Sequence, residues 1–381
     1  MGRRSRVMEV LCACLVWFFV LPSVPYLLFI VILKFFPKAR NVELLLDQCE
    51  ESLLLDTGIR SRTFNAFNSQ VHVLEKKSTI RSAMSVILIH GGFGSSIGFK
   101  PLIDSLSSNY NVYAIDLPGF GRSFGSPAKG ESPMEFYVNV IASVITELDI
   151  DMPMILGHSF GAYVGIRFAK KYPQILGLVI MNPIGIFPTL GTFGAFHALR
   201  FKLGHFITRL LSMGGGPPVL SPRLFNPSAR YWFYLATNPE AYGNSIVSEF
   251  IECSLCNASW KFPAYNDLGK LKCRVFAIYS LEDRLAEMHE AITIHKNLEI
   301  PLETLLFTGH YLDENNSRQA SNAIQVHFRI IGSHPTRSVV DIDFSGYESS
   351  FYPQGTRSTI RDMYVDIQLA NVIGQRMDDG I

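Results

Sequence analysis

The chain has 381 residues, 48% of them hydrophobic, and a formal net charge of +1. That length suits one large domain with insertions or two ordinary ones, and the balanced charge gives no footing for nucleic acid. Six cysteines, at 12, 14, 49, 253, 256 and 273, do not form a dense disulfide framework.

Mean hydropathy is +0.19, high for a soluble protein. Much of it lies at the N-terminus. Val10 to Leu33 runs 24 residues without a charge, interrupted by Pro22, Ser23 and Pro25. About 20 apolar residues span a bilayer. A cleaved signal has a shorter apolar region and a small-residue cleavage site. This run ends instead in Lys34-Phe35-Phe36. Residues 1–40 are therefore expected to be a retained anchor, either one span or a hairpin turned by the two prolines. Arg3, Arg4 and Arg6 balance Lys34, Lys38 and Arg40, so charge does not orient it. Arg6 stands where a myristoylation signal needs Ser or Thr.

A polar linker is expected near 41–60. Beyond it, apolar runs alternate with helical patterns. Strands are expected at Gln70–Leu74, Ser85–Ile89, Asn111–Ile115, Met154–Leu156, Leu176–Met181, Arg274–Tyr279 and Leu302–Phe307. Helices are expected at 134–148, 160–171, 286–297 and 317–331. This alternation predicts an α/β fold with a mostly parallel sheet between helices. Ligands bind such sheets at the carboxyl ends of the strands. His90, Asp116, Ser159, Asp283 and His310 fall at those ends.

The rhythm breaks over 185–265, a stretch with 15 aromatic residues. It is expected to be an inserted helical cap, either a lid with an apolar acyl pocket or simply aromatic packing onto the core. The core is then 61–184 and 266–332. The polar tail 333–381 is an extension without an assigned role. Cys253 and Cys256 form a C-x-x-C, but no second ligand pair accompanies it. No phosphate-binding Gly-x-x-x-x-Gly-Lys occurs. No metal or cofactor is expected.

Residues 155–165 read ILGHSFGAYVG. A serine hydroxyl is a weak nucleophile until a base takes its proton. The base needs a third group to fix its tautomer, and the developing oxyanion needs N–H donors in place. Ser159 follows a strand and opens a helix, the setting that a nucleophile on a sharp turn requires. The alternative is an ordinary turn serine. His310, after the last strand, is the expected base. Asp283, after the preceding strand, is the expected acid, with Glu282 as its rival. The Phe160 amide is one oxyanion donor. The second is Gly92 or Phe93, because the doubled glycine blurs the register. His158 is expected to point away from the Ser159 hydroxyl, and His90 to hold the glycine turn.

HGGFGSS (90–96), DLPGFGRS (116–123), GHSFGA (157–162), SLEDR (280–284) and TGHYL (308–312) come in one order over about 85–332. With these pieces the chain resembles the α/β-hydrolase superfamily, most of all its membrane-anchored abhydrolase-domain lipases and esterases. The resemblance implies hydrolysis of a carboxylic ester through an acyl-enzyme. Ser159 attacks, His310 carries the proton and Asp283 orients it. A serine here argues against the epoxide and haloalkane hydrolases, which use aspartate. Asn315 stands where the acyltransferase-like branch has the Asp of His-x4-Asp. Phe93 stands where the aminopeptidase relatives have proline. An anchor beside an aromatic cap suggests a lipid ester, such as a monoacylglycerol or lysophospholipid, at the endoplasmic reticulum or another internal membrane. Acyl transfer and non-catalytic lipid binding are the alternatives. Asn257 and Asn315 begin glycosylation sequons.

Overall fold

A computed structural model describes residues 39–92, 94–128, 130–186, 263–283, 285–286, 288–306 and 309–328. The apolar run 10–33, nearly all of the expected cap and the tail 333–381 lie outside them. Among the described residues no helix is long and apolar enough to cross a membrane.

Eight strands form one sheet: β1 (Arg60–Ala66), β2 (Ser69–Lys76), β3 (Met84–Ile89), β4 (Tyr110–Ile115), β5 (Met154–His158), β6 (Gly177–Met181), β7 (Arg274–Ser280) and β8 (Leu302–Leu305), in the order β1-β2-β4-β3-β5-β6-β7-β8. The first two pairings, β1 with β2 and β2 with β4, are antiparallel. The rest are parallel. Parallel strands covered on both faces read as continuous apolar runs. MSVILI, MILGH and GLVIM are such runs, and β5 and β6 are buried along their whole length. All seven expected strands form. Phe307, the expected end of the last one, lies outside the described residues.

Helices α1 (Ala39–Leu54), α2 (Lys100–Leu106), α3 (Pro133–Glu147), α4 (Phe160–Lys171), α5 (Pro263–Leu268), α6 (Met288–Leu298) and α7 (Glu314–His327) connect or flank the strands. Helix α4 follows the expected 160–171, and α3 and α6 lie within two residues of theirs. Helix α7 begins three residues before the expected 317.

Two segments differ from the sequence reading. β1 has no expected counterpart. It is an edge strand whose first four residues are exposed, so its polar side chains give no alternating pattern. The linker near 41–60 is for the most part helix α1. Its Leu46 and Cys49 are buried, as is Glu50. Glu50 Oε2 lies 2.6 Å from Arg122 Nε, and Asp47 Oδ1 lies 3.1 Å from Arg122 Nη2. A helix whose polar side makes ion pairs with the core looks like a solvated linker in sequence. The predicted consequence is large for Leu46→Ala. Urea unfolding should show a loss of about 2–5 kcal/mol, as for a buried leucine, whereas a linker position would change by less than about 0.5 kcal/mol.

Candidate active site

The carboxyl ends of β3, β5, β6, β7 and β8 lie side by side, and each carries part of the site. Ser159 follows β5 directly. Its backbone is at φ 57 and ψ −122, and Phe160 begins α4 immediately after it. Few non-glycine residues adopt a positive φ, and the surroundings must hold it there. Here the Ser159 N–H donates to Met181 O at 2.9 Å, and its carbonyl accepts from the Ala162 and Ile184 amides.

The neighbouring glycines are steric requirements. A Cβ on Gly157 would lie 2.2 Å from Gly161 O, and a Cβ on Gly161 would lie 2.1 Å from Ile89 O. Backbone therefore passes against backbone on both sides of the serine. A Cβ on Gly91 would meet the Ser159 Cβ at 2.8 Å, so the glycine turn after β3 lies directly against the serine.

The structure brings the three expected side chains together. Ser159 Oγ lies 2.9 Å from His310 Nε2, and His310 Nδ1 lies 2.7 Å from Asp283 Oδ2. A carboxylate can only accept, so the assigned tautomer carries its proton on Nδ1 and leaves Nε2 to accept from Ser159. Asp283 is fixed in turn. Its Oδ1 accepts from the Leu285 amide at 2.7 Å and the Ala286 amide at 3.0 Å. Asp283, and not Glu282, faces the imidazole.

The Phe160 N–H opens α4, where helix N–H groups point outward and the helix dipole favours negative charge. Gly92 lies in the turn closed by Gly94 N–H donating to Gly91 O at 3.1 Å. Phe93 lies outside the described residues. His90 holds this turn to the next loop. It lies 2.7 Å from Gly91 O through Nδ1, and its Nε2 accepts from the Leu117 amide at 3.0 Å. Burial pushes the pKa of His90 down, which suits a neutral ring with one donor and one acceptor. Among the described residues no His, Cys, Asp and Glu cluster could hold a metal ion.

Two polar side chains that the sequence reading gave no task also belong to the site. His158 Nε2 lies 2.8 Å from His310 O. Asn182, after β6, receives the Ser280 amide on Oδ1 at 2.7 Å and donates to Ser280 Oγ at 2.9 Å. The signal for Asn182 was Asn-Pro at a strand end. Nothing local marks its partners, which are 98 residues away. On the nearby helix α7, Asn315 is exposed and Ser317, the third residue of its sequon, is buried.

Burial first, then the neighbouring His310, lowers the His158 pKa to about 3 from 6.5. As pH falls through 6.5, the unfolded chain binds a proton at this position and the folded chain does not. Folding stability should therefore fall by about 1.4 kcal/mol per pH unit from this group between about pH 6 and pH 4. Chemical denaturation across that range checks it. The wild type should lose stability more steeply than His158→Gln.

Residues 86–320 match the alpha/beta hydrolase family. Among curated proteins, the (lyso)-N-acylphosphatidylethanolamine lipase of Bos taurus is 28% identical over 38% of this chain and 42% of its own length. The 1-acylglycerol-3-phosphate O-acyltransferase ABHD5 of Mus musculus is 33% identical over 31% of this chain and 34% of its own. The chain thus spans about a third to two fifths of the length of these relatives. Among solved structures, a bacterial membrane phospholipase A superposes with a TM-score of 0.56 at 19% identity, over 86% of this chain and 99% of that one. The naproxen esterase of Bacillus subtilis gives 0.54 at 19% identity, over 77% and 100%. Matched over more than half its length, and with the sheet order and strand directions described above, the chain belongs to the alpha/beta hydrolase family.

Proposed function

We propose that the protein is a serine hydrolase that cleaves carboxylic esters through an acyl-enzyme, with lipid esters of the monoacylglycerol or lysophospholipid type as substrates. One observation carries this reading. The serine held at φ 57 on the strand-to-helix turn has its hydroxyl 2.9 Å from an imidazole that a buried carboxylate orients. A serine in an ordinary turn needs neither the strained backbone nor the oriented base.

The steps follow from the atoms. Ser159 Oγ attacks the ester carbonyl carbon while His310 Nε2 takes its proton. The carbonyl oxygen becomes an oxyanion, received by the Phe160 N–H and by Gly92 or Phe93. The C–O bond to the alcohol breaks and His310 returns the proton to the departing oxygen. Water then attacks the acyl carbon while His310 Nε2 takes its proton. The bond from that carbon to Ser159 Oγ breaks, His310 returns the proton to Oγ, and the carboxylic acid leaves. Asp283 keeps the imidazole in the required tautomer and stabilises its charged form.

The lipid part of the reading rests on sequence and likeness. The apolar run Val10–Leu33 is proposed as a membrane anchor and 185–265 as an aromatic-rich cap over the site. The lipase and phospholipase among the similar proteins point the same way. A second reading is acyl transfer, in which an acceptor alcohol replaces water at the acyl-enzyme. The acyltransferase among the relatives favours it. Asn315 in place of the expected aspartate speaks against it.

A fluorophosphonate probe should label the wild type and leave Ser159→Ala unlabelled, while a folded wild type that stays unlabelled sinks the proposal. Asp283→Asn should lower kcat by about 10⁴-fold on a model ester through loss of the tautomer. Comparing lipids of cells that carry wild type or Ser159→Ala should show one ester class rising in the variant. A rise in an acceptor-derived product with wild type would favour transfer instead.

A further inference from the structure

Resting on the hydrolase reading, we infer that His158 is a positioning residue for the base: its neutral imidazole holds the main-chain carbonyl of His310 and so fixes where Nε2 meets Ser159.

His310 sits between β8 and α7, where Asn316 Nδ2 on α7 donates to the neighbouring Tyr311 carbonyl at 2.8 Å. Gly309 before His310 is exposed, and among the described residues none lies within 4 Å of where its side chain would be. Tyr311 after it is 76% exposed. The His310 ring is held by Ser159 and Asp283, but a ring bonded at both nitrogens can still slide with its backbone. The His310 carbonyl is the point at which the main chain of the base itself is held from the strand side. It accepts from His158 Nε2 at 2.8 Å and, at a longer 3.4 Å, from Asn182 Nδ2. These donors come from the ends of β5 and β6, the strands on which the nucleophile itself is built.

His158 is suited to this task. A carbonyl only accepts, so His158 must carry its proton on Nε2. The ring is buried, stands edge-on to Phe99 at 6.4 Å and lies 5.0 Å from the His310 ring, centroid to centroid. A Cβ on Gly91 would meet its Nδ1 at 3.3 Å, so the glycine turn also flanks it. One side chain adjacent to the nucleophile thus touches the base loop and borders the oxyanion turn. Serine and base are 151 residues apart in sequence, yet their separation is set over a single residue.

The test measures the rate and the affinity of fluorophosphonate labelling separately, on the full chain in detergent, with melting temperature as the check of folding. His158→Leu should lower the labelling rate constant about 10- to 100-fold and leave the binding constant within about twofold, since displacements near 1 Å cost rates of that order. His158→Gln, whose amide can place an N–H near the Nε2 position, should recover to within about fivefold of wild type. Should His158→Leu fail to fold, His158→Asn takes its place. Its shorter amide cannot reach His310 O, so slow labelling beside a fast Gln variant supports the inference. A folded Leu variant labelling at the wild-type rate overturns it, as do Gln and Asn variants that are equally slow. In both cases unlabelled Ser159→Ala leaves the hydrolase reading standing. An unlabelled, folded wild type overturns that reading, and this inference with it.

Discussion

The site depends on one close approach, of backbone to backbone, around Ser159. A Cβ at Gly161 would lie 2.1 Å from Ile89 O, and one at Gly157 2.2 Å from Gly161 O, both closer than any side chain allows. Strand β3, strand β5 and the start of α4 are therefore in contact without intervening side chains. That contact forces the chain to turn at once from strand to helix and places Ser159 at positive φ. Such a conformation costs on the order of 1–3 kcal/mol. The sheet offsets it, because β5 lies between β3 and β6 and pairs with both. Helix α4 begins where the strand stops, so its N-terminal N–H groups come with the turn.

A second hydrogen-bond chain in the same protein shows why the turn matters more than the bonding order. Ser61 Oγ lies 2.8 Å from His72 Nε2, and His72 Nδ1 lies 2.8 Å from Asp116 Oδ2. Serine, histidine and aspartate follow one another at distances within 0.1 Å of those at the proposed active site. The context differs at every position. Ser61 sits in β1 opposite Leu74, in regular antiparallel pairing, with no helix beginning after it. Asp116 Oδ1 accepts the Ser96 amide, and Oδ2 also accepts the Arg122 amide at 2.9 Å. Burial alone would raise its pKa, but His72, His90 and the Arg122 N–H outweigh burial and hold it below the ordinary value. This carboxylate ties the loops that follow β3 and β4 to β2. It is a brace, and Ser61 closes its outer end.

What sequence reveals follows from where the information lies. Central strands announce themselves because burial on both faces demands unbroken apolar runs, as in VILI of β3 and LVIM of β6. The elbow was legible because its steric rule involves residues two apart, Gly157, Ser159 and Gly161. Asp283 and His310 are expected by position, each after the end of a strand, and the order of the chain favours His310 among the histidines. Glu282, one residue before Asp283, stays a rival in sequence, and the His310 Nδ1–Asp283 Oδ2 contact separates them. The supports were not legible. Asn182 and Ser280 exchange two hydrogen bonds across 98 residues, and nothing in either local sequence requires the other. Helix α1 was missed for a related reason. Its charged residues Asp47 and Glu50 read as solvent-facing until Arg122 is seen opposite them.

The histidines around the site also explain how one of them can act as a base. His90, His158 and His310 lie close enough to influence one another. If His158 were charged, the imidazolium that forms at His310 during attack would face a like charge across 5.0 Å between ring centres. At an effective dielectric constant near 20 that repulsion is about 3 kcal/mol, or roughly a hundredfold in rate. Burial removes the problem, since it holds the His158 pKa at about 3. The ring then offers an N–H to the His310 carbonyl while adding no positive charge beside the base. A lysine or arginine could make the same hydrogen bond only by bringing the charge that the reaction must avoid. A buried, neutral imidazole gives the site a rigid donor, and Asp283 is left as the charged group in direct contact with the base.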